Sequence, residues 1–297
     1  KQPVLMSWVN PELRASVAKE VLRAHGYFRG DVSYQARTLR NPKKAKIAYT
    51  VNTGHLFTID TLQYLGFPAA GDSLIRLTLS DAKIKPGDPF DVSTLEGERT
   101  RLSTLFRNNG YFYWQPSYAS YLADTTSVPG KVQVRLQAIE KLPAKAKRPW
   151  YVGNICIDLR KNYLDALTDS FQRGSFMVRF RGRRPPLRVP VILQGTKLRS
   201  HKLYSYQDYQ ESMAHVSSTG LFSVVDFTFT PRDTTSANDT LDLRINAVLD
   251  KPYDFYVEGN LVGKTNNRVG PGLVMGFTKR NAFRGGELLD INLNGSY

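Results

Sequence analysis

Three times along this chain a helical pattern runs into a glycine followed by large apolar residues, and then into strand-like alternation: Gly26-Tyr27-Phe28, Gly110-Tyr111-Phe112 and Gly220-Leu221-Phe222. Glycine ends a helix well because it enters the left-handed backbone region without steric cost. The corners lie 84 and 110 residues apart. That recurrence predicts an array of small α+β modules rather than one large core.

The first module opens on Asn10-Pro11, a capping residue followed by a proline suited to the first helical turn. Leu13, Val17, Val21 and Leu22 then recur near the helical period. Val32, Tyr34 and Ala36 alternate in one strand and Ala45, Ile47, Tyr49 and Val51 in the next, with Asn41-Pro42 as their connection. The second module is complete: a strand from Phe57, a helical region, a helix from about Ser93 that ends at Asn109-Gly110, and strands over Tyr113 to Leu122 and Lys131 to Ile139. The third repeats that order around a basic insertion. Trp150 to Leu159 reads as its first strand, Leu164 to Phe171 as a short helix, and Ser205 to Asp208 as the cap of the second helix. Strands around Val224 to Thr228 and Leu241 to Ala247 flank a loop over Asp233 to Asp239.

After Pro252 the pattern changes. Phe255, Val257, Gly259, Leu261 and Gly263 alternate with more polar neighbours, as do Leu273, Met275 and Phe277, and then Leu289, Ile291 and Leu293. Each run is about ten residues, the length at which a tilted strand crosses a bilayer. No apolar run approaches the ~18 residues of a membrane helix. Two or three strands cannot satisfy their edges in lipid, so more strands are expected from further chain or from a partner. The opening Lys1-Gln2-Pro3-Val4-Leu5 reads as the interior of a longer polypeptide.

Net charge is +15 and it is localised. Residues 141–200 hold 14 Lys+Arg against 3 Asp+Glu, and residues 1–56 hold 10 against 3, while the rest is near balance. The densest patch is Arg179, Arg181, Arg183, Arg184 and Arg188, a composition that attracts polyanions or anionic lipid surfaces. The single cysteine, Cys156, reads as a small core residue.

Enzymatic chemistry is not expected. The stretch from Glu258 to Thr265 approaches a phosphate-binding loop, but Glu258 stands where the first glycine belongs and a turn, not a helix, follows. His25, His55, His201 and His215 show no metal-ligand spacing, and one cysteine builds no zinc site. Neither a metal nor a cofactor is expected.

Strand, two helices and two strands with a Gly-Tyr-Phe corner after the second helix resemble the polypeptide-transport-associated (POTRA) domain. Gly270-Pro271-Gly272-Leu273 through Asn281-Ala282-Phe283-Arg284-Gly285-Gly286-Glu287 resembles the opening hairpin of the barrel in the BamA/TamA outer-membrane assembly superfamily. The phrase Gly-Tyr-Phe-Arg-Gly-Asp-Val over 26–32 and the basic third module resemble the TamA-like lipoprotein branch of Bacteroidota. The resemblance implies an α+β chain of tandem POTRA modules (β-α-α-β-β) leading into the first antiparallel strands of a transmembrane β-barrel. The expected divisions are a partial module over 1–56, modules over 57–141 and 142–250, and barrel strands over 251–297. The expected place is a bacterial outer membrane, with the modules in the periplasm and a lipoprotein signal ahead of them.

A module with helices on one face of its sheet leaves a strand edge to which an incoming chain can add by β-augmentation. Edges over residues 32–38 and 113–121 are the candidates, through Val32, Tyr34, Tyr113, Trp114, Tyr118 and Tyr121. In the resembled family the first barrel strand forms a lateral gate, here Tyr253 to Lys264 with Phe255, Val257, Gly259, Leu261 and Gly263. The implied partners are unfolded outer-membrane client polypeptides, outer-membrane lipid, and accessory assembly subunits or a TamB-like protein. Two other readings stay open: a basic nucleic-acid-binding array, in which nucleic acid replaces the client, and a secretion transporter built from the same modules.

Overall fold

Gly26, Gly110 and Gly220 all sit at positive φ, 84°, 91° and 66°, so each corner uses a backbone conformation that side-chain-bearing residues avoid. The computed structural model describes residues 6–41, 44–232, 239–263 and 269–296. The expectations for Pro42, for most of the Asp233 to Asp239 loop and for Lys264 to Arg268 lie outside the described residues. The chain divides into two compact units, one of Lys1–Phe106 with Tyr113–Lys147 and one of Arg107–Phe112 with Arg148–Tyr297.

In the first unit, α1 (Met6–Val9) and α2 (Pro11–Ala24) precede a two-stranded antiparallel sheet of β1 (Asp31–Thr38) and β2 (Ala45–Asn52). Asn10 caps α2 by accepting the Leu13 amide at 3.2 Å, as its position before Pro11 predicts. The buried face of α2 differs from the expected stripe. Leu13, Val17 and Val21 are more than half exposed, whereas Ala15 is buried and Leu22 packs tightly on the turn at Gly30. Bulk alone therefore misidentifies the packed side of this helix.

The next module follows as β3 (Thr58–Leu65), α3 (Ala69–Leu77), α4 (Val92–Asn108), β4 (Ala119–Asp124) and β5 (Lys131–Ala138), in sheet order β3-β5-β4. β5 is the central strand, parallel to β3 and antiparallel to β4. Val132 and Val134 on β5 pack with Ile59 and with Leu95 of α4 in a buried cluster. Phe28 of the first corner joins this cluster, with its ring 5.2 Å from Phe57 and 4.9 Å from Phe90. The carbonyl of Gly26 also accepts the Phe57 amide at 3.0 Å, tying the corner to the residue that leads into β3. The expected strand from Tyr113 starts instead at Ala119, because Pro116 opens a 3-10 turn over Pro116–Tyr118.

The second unit repeats that topology. β6 (Tyr151–Arg160), α5 (Val189–Leu193), α6 (Tyr206–Ser218), β9 (Phe222–Pro231) and β10 (Thr240–Leu249) place β10 between parallel β6 and antiparallel β9. Ser205 caps α6 by accepting the Asp208 amide at 3.2 Å. The second corner belongs to this unit: Gly110 accepts the Trp150 amide at 2.7 Å, and the Phe112 ring lies 5.0 Å from Tyr204 and 5.3 Å from Phe229. At the third corner the equivalent bond is displaced by one residue, from the Asp250 amide to the Leu221 carbonyl at 2.9 Å.

The basic insertion departs from the expected helix over Leu164 to Phe171. It forms a hairpin, β7 (Asp169–Arg173) and β8 (Phe176–Phe180), added to the β6 edge to give a five-stranded sheet in the order β7-β8-β6-β10-β9. Leu164 is 93% exposed, so a helix there would have no apolar face to bury. The chain then leads into β11 (Tyr253–Gly263), β12 (Val269–Arg280) and β13 (Leu288–Ser296), an open antiparallel meander.

Candidate functional site

The β11–β13 sheet gathers most of its apolar residues on one face, with Val274 and Leu288 on the other. Phe255 pairs with Phe277, which pairs with Ile291, and Val257 pairs with Met275, which pairs with Leu293. Strand alternation therefore puts Phe255, Val257, Leu261, Leu273, Met275, Phe277, Ile291 and Leu293 on one side. Phe255, Val257 and Leu261 are 68%, 52% and 79% exposed. The opposite side carries Asp254, Glu258, Asn260, Asp290, Asn292 and Asn294, with Tyr256 donating to Asn292 Oδ1 at 3.0 Å and Thr278 to Asp290 at 3.0 Å. The Tyr256 ring lies over Gly276, where a Cβ would come within 2.0 Å of it. With 11, 12 and 9 residues, the strands match the ~9–11 that a tilted membrane strand needs. All five proposed gate positions lie on β11, and Gly259 and Gly263 have open space where a Cβ would stand.

The hairpin turn between β12 and β13 is anchored on the third module. Asn281 Nδ2 donates to the Pro186 carbonyl at 2.9 Å, the Arg284 guanidinium donates to the Pro185 carbonyl at 2.6 Å, and the Arg188 amide donates to the Arg284 carbonyl at 2.8 Å. Asn281 and Arg284 both adopt positive φ, 56° and 68°, a cost of order 1 kcal/mol each that the docking contacts offset. The motif that carried the sequence resemblance is thus a docked turn. Its anchoring on the insertion had no signal in the sequence.

The client-edge residues are distributed otherwise than expected. Val32 and Tyr34 do lie on a two-stranded sheet, where each strand is an edge. Tyr113 and Trp114 precede β4 rather than forming it; Trp114 is buried and stacked on Phe106 at 4.3 Å, and Lys145 sits 5.5 Å from the Tyr113 ring centroid. Tyr118 closes the 3-10 turn, edge-on to Trp114 at 6.0 Å. Tyr121 alone is on β4, but its ring packs toward the helices and its hydroxyl donates to Glu96. Burial and that bond push the Tyr121 hydroxyl up to about 12. What remains of the aromatic edge is β4 itself. Because the Ile139 amide donates to the Tyr118 carbonyl at 3.0 Å, alternation of bonded pairs turns the amides of Tyr121 and Ala123 toward the open side.

The arginine patch also divides. Arg179 on β8 grips buried Asp158 on β6 through two bonds of 2.7 and 2.5 Å, which fixes the register of the added hairpin. Its charge is spent inside the fold, so it leaves the binding patch. Arg181 pairs with Asp165 at 3.1 Å on the surface. Arg183, Arg184 and Arg188 have no acidic partner within salt-bridge distance among the described residues. Cys156 is half-buried on β6 beside Asp158, and burial, followed by that carboxylate, pushes its thiol up. Among the described residues no helix is long and apolar enough to cross a membrane, a fact that does not bear on strands, and no cluster of His, Cys, Asp and Glu is arranged to hold a metal.

No protein-family model matches this sequence, and no curated protein sequence matches it. Similar solved structures include BamA from Haemophilus ducreyi lacking POTRA domains 1–3, at TM-score 0.56 and 14% identity, over 81% of this chain and 37% of that one. BamA POTRA3–5 from Haemophilus influenzae aligns at TM-score 0.44 and 14% identity, over 80% of this chain and 79% of that one. CdiB from Acinetobacter baumannii aligns at TM-score 0.37 and 10% identity, over 100% of this chain and 48% of that one. The chain thus spans little more than a third of the length of the Haemophilus ducreyi structure. By fold it is an α+β chain with POTRA-like modules that leads into an open sheet corresponding to barrel strands.

Proposed function

We propose that this chain belongs to a bacterial outer-membrane protein of the BamA/TamA superfamily, a non-enzymatic assembly or translocation factor whose modules stand in the periplasm. The observation that carries the reading is the continuous, solvent-exposed apolar face of β11–β13 against a polar, hydrogen-bonded opposite face. A soluble monomer rarely exposes such a patch over more than a few hundred Å². Lipid on one side and a polar lumen on the other account for both faces.

In this reading the modules receive unfolded client chains along strand edges, above all β4, and pass them to the seam at β11. Each added backbone bond contributes about 0.5–1.5 kcal/mol net. Capture is therefore weak and reversible, which suits a relay. The TamA-like lipoprotein branch and a TamB-like or other accessory partner are the finer form of this proposal, supported by the sequence resemblance alone.

The test places a bimane label at Val257→Cys or Glu258→Cys, in a Cys156→Ser background, in the natural full-length protein reconstituted with brominated lipid. Quenching at position 257 and not at 258 is expected. Equal quenching by a water-soluble agent at both positions would show that the sheet lies in water and overturn the membrane reading.

A further inference from the structure

We infer that the second unit contains a binding site for the phosphate of an anionic lipid headgroup, in the cavity where the third module meets the start of β11 and the end of β12. The inference rests on the proposal that β11–β13 lies in a bilayer.

The cavity encloses about 570 Å³, within the ~300–1,000 Å³ range of small-molecule sites. Its walls come from five separate stretches of chain: the residues just after β6, the insertion at Arg184 to Pro186, Leu221 at the third corner, the segment that leads into β11, and the end of β12 with the docked hairpin turn. Lys161, Arg184, Lys279, Arg280 and Arg284 line it, against a single acidic residue, Asp250. Arg280 is neutralised by Asp254, which is not part of the lining. None of the other four cations is in a salt bridge among the described residues. Arg284 is fixed by donation to the neutral Pro185 carbonyl at 2.6 Å, and Lys279 stands 5.5 Å from the neutral Tyr253 ring centroid. Lys161 and Arg184 have no acidic partner within salt-bridge distance among the described residues. Four like charges converging on one cavity repel one another, and an anion relieves that repulsion. Fixed guanidinium groups suit phosphate oxygens because they offer several donors in a rigid plane.

The placement favours a lipid headgroup over free phosphate. Tyr253 and Lys279 are paired across β11 and β12 on the apolar side of the sheet, and the next pair on that side is Phe255 and Phe277. The cavity therefore opens where the apolar face ends. Aromatic and lysine side chains at such a boundary mark the headgroup level of a bilayer. A lipid whose acyl chains lie along Phe255 and Phe277 would bring its phosphate to the four cations, while Leu221, Leu249 and Pro252 cover the glycerol region.

The test uses the natural full-length protein in nanodiscs of phosphatidylcholine doped with phosphatidylglycerol, and native mass spectrometry to read the anionic lipid retained per protein. The Lys161→Gln/Arg184→Gln variant removes two charges whose side chains make no hydrogen bond or salt bridge among the described residues, and Arg183→Gln, outside the cavity, is the control. Retention should fall roughly tenfold or more in the double variant, given the usual effect of a surface cation near anionic lipid, and stay unchanged in the control. Unchanged retention in the double variant, with normal nanodisc entry, would overturn the lipid site and leave the membrane reading intact. Failure to enter nanodiscs at all would overturn both. Release of the retained lipid by millimolar inorganic phosphate at constant ionic strength would reassign the cavity to free phosphate.

Discussion

The carbonyl of Gly110 accepts the amide of Trp150 at 2.7 Å, so a corner that ends one helix also holds the residue ahead of β6. Gly26 and Phe57 repeat the arrangement at 3.0 Å. In both places the glycine adopts positive φ, and the aromatic residue two positions later, Phe28 or Phe112, packs into the core that the bonded strand helps to build.

Gly110→Ala should destabilise the second unit by about 2–4 kcal/mol, because positive φ costs an alanine about 1–2 kcal/mol and the methyl must displace its neighbours. Its Cβ would lie 2.6 Å from Leu203 Cδ1 and 2.8 Å from Pro149 Cβ. Gly220→Ala meets nothing within 4 Å, so it should cost only about 1–2 kcal/mol. Urea unfolding of both variants followed by far-UV circular dichroism separates the two contributions, and equal losses would show that steric contact at Gly110 is unimportant.

Arg179→Met should cost about 3–5 kcal/mol, since it leaves the 1% exposed Asp158 carboxylate without its main partner. Replacing both residues, Asp158→Leu with Arg179→Met, should recover most of that loss. Hydrogen exchange at Met177 and Val178 should report selective loosening of β8 in the single variant. A single variant as stable as the parent would mean that the hairpin is held by backbone pairing alone.

Glu98 in α4 makes the first unit sensitive to acid. Burial works to raise its pKa, but bonds from Arg101, the Lys83 amide and Tyr64 outweigh that effect and hold the carboxyl below its ordinary value. A depressed folded pKa stabilises the fold fully above the unfolded value, near about 4.3, and the stabilisation is lost as pH falls through the lower folded value. The unfolding midpoint of the first unit should thus fall below about pH 4. Glu98→Gln should be less stable at neutral pH and show a flatter acid limb; an unchanged limb would assign the acid sensitivity to other carboxylates.

Ala123→Pro removes an amide that faces the open side of β4 and spares the ladder to β5, whereas Leu122→Pro cuts that ladder. The first should lower photo-crosslinking to unfolded outer-membrane polypeptides severalfold with the module still folded. The second should unfold the module. Undiminished crosslinking in a folded Ala123→Pro variant would remove β4 as the docking edge.

The module order, the corners and the three final alternating strands were legible in the sequence because each depends on local periodicity and on glycine's backbone freedom. Trp114 illustrates what was not. Its place in an aromatic stretch suggested a strand edge, but Pro116 ends the extended run and the indole finds its contact on Phe106, which lies on another element. Leu164 and Phe171 suggested a helix in the same way. Whether an apolar residue is buried depends on what the remote chain brings to it, and here β8 offered strand pairing instead of a helix-packing surface.

The sequence by itself determined the glycine corners, the helix caps at Asn10 and Ser205 and the alternation of the final strands, since alternation and turn chemistry act between near neighbours. Tertiary structure alone decided that Arg179 is spent on Asp158, that the β12–β13 turn anchors on Pro185 and Pro186, and that four cations without a salt-bridge partner among the described residues line one cavity. Arg179 and Asp158 are 21 residues apart, the turn and its anchor nearly a hundred, and Lys161 and Arg284 more than a hundred; a hydrogen bond or a charge field depends on distance in space, on which local pattern carries no information.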